Sequence, residues 1–179
     1  MLFTREKAIA AAVRSGGLVR HQVALEEGQL DVRQLWMRPE IAELIGAKKL
    51  DPPQREVVRA AFNRFVVGGI MTVVTKECSH KEVENLGDIR ELKGYSPPLL
   101  ELRFKPPKHD LRIFGRCIGK DRLVLASHGM KSLTDPTNAR PLSVREQCKR
   151  CDDIFKMYGI KEEWVPLTMA DSFTIVELA

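Results

Sequence analysis

Between residues 99 and 131 the chain carries three short apolar segments separated by two tight breaks, and this restricts its folding more than anything else in the sequence. Leu100-Glu101-Leu102-Arg103-Phe104-Lys105 alternates apolar and charged side chains, the period of two that sends one set to each side of a strand. Pro106-Pro107 makes a turn, and Leu111–Ile118 reads as a second strand. Gly119-Lys120-Asp121 is a second turn before a third strand over Arg122–His128. Connections this short force antiparallel pairing, because a parallel return needs a crossover of a dozen or more residues. An antiparallel meander is expected, and the rest of the chain must pack around it.

What surrounds the meander is mostly helical. Ser143 and Glu146 form a capping box. Behind it Val144, Cys148, Cys151, Phe155 and Tyr158 recur at steps of four and three, one apolar stripe on a helix that Gly159 ends. A first helix is expected over Arg5–Ser15, capped by Thr4 and stopped at Gly16-Gly17, with some strand character over Leu18–Leu25. Pro39–Ile45 reads as a short helix with Gly46 as its stop, and Lys48–Pro53 as a linker. From Gln54, the spacing of Val58, Phe62, Phe65 and Val66 is helical. Ile70–Thr75 favours a strand, Ser79 and Glu82 cap a helix over His80–Leu92 ending near Gly94, and Ser172–Leu178 reads as a last strand. The expected fold class is α+β: an antiparallel sheet with helices packed against it over residues 54–179, preceded by a mainly helical N-terminal extension over residues 1–50.

Charge is distributed unevenly. The net charge is +5, yet residues 90–150 carry 14 basic and 6 acidic side chains, while residues 151–179 carry 2 and 6. A concentrated positive field attracts polyanions and speeds their encounter. No run of eighteen apolar residues exists, so no membrane helix is expected. The first residues reach Arg5 and Glu6 at once, without the apolar core of a secretory signal. The four cysteines (Cys78, Cys117, Cys148 and Cys151) are expected to be free and reduced, which fits a cytoplasmic protein. Cys148-x-x-Cys151 with Cys78-x-His80 upstream invites a zinc site, but Cys148 and Cys151 fall on the apolar helical stripe. No metal and no cofactor are expected.

Several pieces in order, Leu100-Glu101-Leu102-Arg103-Phe104, then Leu111-Arg112-Ile113-Phe114, then Leu123-Val124-Leu125 leading into His128-Gly129-Met130-Lys131, and a helix with Glu146, resemble the RelE/HigB-type toxin superfamily, its phage-derived relatives included. The resemblance covers roughly residues 80–158, and Leu86–Tyr95 resembles the helix those proteins place before the first strand. It implies a ribosome-dependent endoribonuclease that cleaves mRNA without metal, by general acid/base attack through a ribose 2′-hydroxyl, and that is often paired with an antitoxin protein. Carried over by position, Arg103, Arg112, His128 and Lys131 are the implied catalytic residues. Lys105, Lys108 and Arg116 join them as nucleic-acid-binding candidates in the basic block.

The departures open other readings. Lys131-Ser132 stands where the family often has two lysines, and the tail Asp171–Ala179 contains no Tyr, His, Arg or Lys. A non-catalytic module that binds RNA, the ribosome or a protein on the same fold is the alternative, with a phage structural or assembly protein as the third reading. Arg103 and Arg112 alternate with apolar neighbours on adjacent strands and could share a face as a phosphate clamp, or could form ion pairs with Glu101 and Asp110.

Overall fold

A computed structural model describes residues 2–46, 50–69, 71–74, 89–92, 99–104, 110–119, 121–131, 144–160 and 173–176. Four helices and eight strands occur among them: α1 (Leu2–Arg14), β1 (Val19–Arg20), β2 (Gln34–Met37), α2 (Pro39–Gly46), α3 (Pro52–Val66), β3 (Met71–Val74), β4 (Ile89–Leu92), β5 (Leu99–Phe104), β6 (Asp110–Gly119), β7 (Arg122–Lys131), α4 (Val144–Met157) and β8 (Phe173–Val176). The chain is α+β. All eight strands join one sheet in the order β1-β2-β7-β6-β5-β4-β3-β8.

The expected meander is its centre: β5, β6 and β7 pair antiparallel, with β4 antiparallel to β5. The sheet as a whole is mixed rather than antiparallel. β2 lies parallel to β7, and β3 lies parallel to both β4 and β8. Such pairs need long crossovers, and the chain from 38 to 121, carrying α2 and α3, supplies the one between β2 and β7.

Alternation along the strands sends apolar side chains to both faces. Leu35, Met37, Leu100, Leu102, Phe104, Leu111, Ile113, Leu123 and Leu125 build a core with α2 and α3, including Ile41, Val58, Phe62 and Phe65. Trp36, Leu99, Phe114, Ile118, Val124 and Ala126 build a second core on the other face with Ile9 and Ala12 of α1 and Cys148, Cys151, Ile154 and Phe155 of α4. The helices therefore cover both faces. Gly115 is required where β6 bulges against β7, since a Cβ there would stand 2.2 Å from the Val124 carbonyl oxygen.

Residues 1–50, set apart in the sequence reading as an extension, contribute β1 and β2 to the sheet and buried residues to both cores. Arg33, only 7% exposed, fastens this region. Its guanidinium donates to the carbonyls of Gly69 at 2.6 Å and Gly68 at 3.2 Å just past α3, and it pairs with Asp121 at 3.3 Å in the β6–β7 turn. Asp121 itself takes a left-handed φ of 59°, which a short polar side chain tolerates. The presumed linker Lys48–Pro53 contains a helix start instead: Asp51 caps α3 by accepting the Gln54 N–H at 2.8 Å, and Pro52 takes the first helical position. α1 begins at Leu2, so Thr4 lies inside it rather than capping it. Ile89–Leu92, expected as the end of a helix, is strand β4, and the rest of that expected helix lies outside the described residues.

Candidate nucleic-acid interface

On the face covered by α1 and α4, Glu101 of β5 is completely buried. Its two carboxylate oxygens accept separately: Arg103 Nε donates at 2.7 Å and Arg112 Nη1 at 2.9 Å. The arginines are register partners on β5 and β6, and directly opposite residues share a face. Each keeps 14% side-chain exposure. The clamp reading and the ion-pair reading thus describe one object: two cations meet, held by one buried anion, with one net positive charge. The ion-pair partner is Glu101. Asp110 stands opposite Lys131 in the register.

The next row on this face is Leu99, Arg116 and Val124. Arg116, a nucleic-acid-binding candidate in the sequence reading, is 3% exposed. It pairs with Asp152 of α4 at 2.7 Å and sits 5.5 Å from the Phe155 ring centre. Arg116 therefore anchors α4 to the sheet, away from any solvent-facing surface. Burial beside an apolar helix face makes an arginine seek both a carboxylate and an aromatic ring.

His128 lies on the other face. It is opposite Ile113, which belongs to the α2/α3 core, whereas Arg112 is opposite Gly129. The pleat therefore separates His128 from the arginine pair. Lys131 closes β7, and Lys105 and Lys108 lie outside the described residues. Four sequence candidates are thus located by their side chains, and only Arg103 and Arg112 come together.

Gln147 had no signal in the sequence beyond its place near the start of a capped helix. It is 1% exposed, its amide packs above Gly129, and among the described residues neither amide atom has a hydrogen-bond partner. Ser127 Oγ donates to its backbone carbonyl at 3.1 Å, fixing the first turn of α4 on β7. A second polar cluster joins α2 to α4. Arg38 binds Glu40 through two nitrogens at 2.8 and 3.1 Å and donates to the Tyr158 hydroxyl at 3.1 Å. That hydrogen bond from Arg38 holds the Glu40 carboxyl below its ordinary pKa.

Cys148 and Cys151 are fully buried against the sheet and are not joined in a disulfide, and His80 and Cys78 lie outside the described residues. Among the described residues no helix is long and apolar enough to cross a membrane. No protein-family model matches the chain, no curated protein is similar to it, and no solved structure matches it.

Proposed function

We propose that the chain acts on RNA in the manner of RelE/HigB-type toxins, as a metal-independent endoribonuclease directed at mRNA on the ribosome. The observation that carries this reading is the Arg103–Glu101–Arg112 assembly within the basic stretch of the sequence. A buried carboxylate fixes the two guanidinium groups side by side on a rigid base. Cations aimed in advance at developing phosphorane charge are a large catalytic term. The three side chains sum to one positive charge, the sign that attracts a phosphate. Cytoplasmic residence and an antitoxin partner belong to the same reading.

The test is inducible expression in a bacterial host with primer extension on a reporter mRNA. Growth arrest with cuts inside translated codons is expected, and Arg112→Ala and Lys131→Ala should each abolish it. Undiminished arrest in both variants refutes the assignment. One observation favours a second reading, in which the domain binds RNA without cutting it: His128 stands on the opposite face from the arginine pair, so it cannot serve as their general base. Intact RNA retained by the protein on a filter, lost in Arg112→Ala, would establish that reading over cleavage.

A further inference from the structure

A groove of about 420 Å³ lies between α1 and the β2–β7 strands, at the Arg122 end of β7, whereas Arg112 stands opposite Gly129 near the other end of that strand. Its wall is apolar: Ile9, Ala10 and Val13 of α1 face Trp36 of β2. Val13 is 40% exposed here, although it sits beside a core residue on its helix. The two ends are charged. Glu6 and Arg122 close one end with an ion pair at 3.1 Å. Arg14 stands at the other, and among the described residues it holds no ion pair. Eight helical residues separate Glu6 from Arg14, so the groove runs roughly 12 Å along α1.

This volume and lining fit a small molecule, which buries most of its surface against apolar walls and is oriented by a few polar groups. The uncompensated charge of the lining is positive, since Glu6 offsets only one of two arginines. We propose that the groove binds a small amphipathic anion, its carbon body over Ile9, Val13 and Trp36 and its carboxylate or sulfonate on Arg14. A planar guanidinium offers such a group paired donors. The inference is independent of any action on RNA.

The chain has two tryptophans, so Trp164→Phe leaves Trp36 as a reporter in the groove wall. In that background, octanoate and octan-1-ol are titrated against emission, with heats of binding as a second readout. Octanoate should bind saturably, at least about tenfold tighter than the alcohol, the value of a charge-assisted hydrogen bond. Arg14→Glu should weaken octanoate about tenfold and leave octanol unchanged, while Arg14→Lys retains most of the binding, with circular dichroism showing that each variant is folded. Equal affinity for the acid and the alcohol, indifference to Arg14→Glu in a folded variant, or no saturable signal in either readout overturns the proposal.

Discussion

Replacing Glu101 with Gln should separate stability from RNA affinity. Glu101→Gln keeps the size of the side chain and one acceptor oxygen. The other oxygen becomes an NH₂ that faces a guanidinium donor, so one of the contacts at 2.7 and 2.9 Å is lost and turns repulsive. Removing one partner of a buried ion pair costs about 3–5 kcal/mol. Glu101 is fully buried, but each arginine keeps 14% side-chain exposure through which water can enter, placing the loss near ~3 kcal/mol. For a chain of this size that is a fall in Tm of roughly 6–12 °C. Urea unfolding followed by circular dichroism, with calorimetry for Tm, reads it directly. The triple variant Glu101→Leu, Arg103→Met, Arg112→Met should recover most of the loss, because replacing a whole buried ionic cluster by apolar groups is often neutral. RNA affinity should move the other way: neutralising Glu101 raises the local charge beside Arg103 and Arg112 by one, so binding tightens and its salt dependence steepens. A Glu101→Gln protein within about 0.5 kcal/mol of the parent would refute the claim that this carboxylate holds the pair.

Other outcomes follow from single contacts. Arg33→Met should destabilise by about 3 kcal/mol with an unchanged urea m-value, because it strands the carbonyls of Gly68 and Gly69 just past α3. Gly115→Ala should cost at least about 2 kcal/mol, read as a lower urea midpoint, since its Cβ would meet a backbone carbonyl that cannot swing aside. Burial pushes the Cys117 thiol up to about 12, with the charge of Asp121 adding to it. The unfolded thiol ionises first, so its contribution is complete below about pH 9 and drains away up to about pH 12, at up to about 1.4 kcal/mol per pH unit. Urea midpoints between pH 8 and 11 should fall less steeply in Cys117→Ala than in the parent.

Local patterns made much of the fold legible. The alternation in Leu99–Phe104, the turn at Asp121 and the stripe from Cys148 to Phe155 each state their structure within a few residues, and β5, β6, β7 and α4 match them. The place of β2 was not legible. Leu35-Trp36-Met37 is apolar throughout because both sheet faces are covered, so it shows no period, and its partner lies far along the chain. Pro52 misled for a related reason: a proline that ends one helix and one that begins another look alike until the cap is seen. In the candidate site, the sharing of a face by Arg103 and Arg112 follows from strand parity alone. The place of His128 on the other face was legible too: counting back from the Gly119–Arg122 turn sets Ile113 opposite His128 and Gly129 opposite Arg112, because the two register shifts in this hairpin cancel. Gln147 gave no signal, since the burial of an amide is a property of packing.

The parallel pairing of β2 with β7 has a consequence during synthesis. Gln34 pairs with Arg122, and their separation of 122 less 34, or 88 residues, must be translated before β2 has a neighbour on that side. At about 5–20 residues per second that takes roughly 4–18 s. Through this interval Leu35, Trp36 and Met37 are an apolar strand with an open edge, the kind of segment that other chains can pair with. β3 waits longer still on its β8 side, since Met71 pairs with Phe173, a separation of 173 less 71, or 102 residues. The nascent protein therefore has α1, α2 and α3 before β2 and β3 have all their sheet neighbours. Its yield in a cell should depend on what shelters residues 34–37 until β7 arrives.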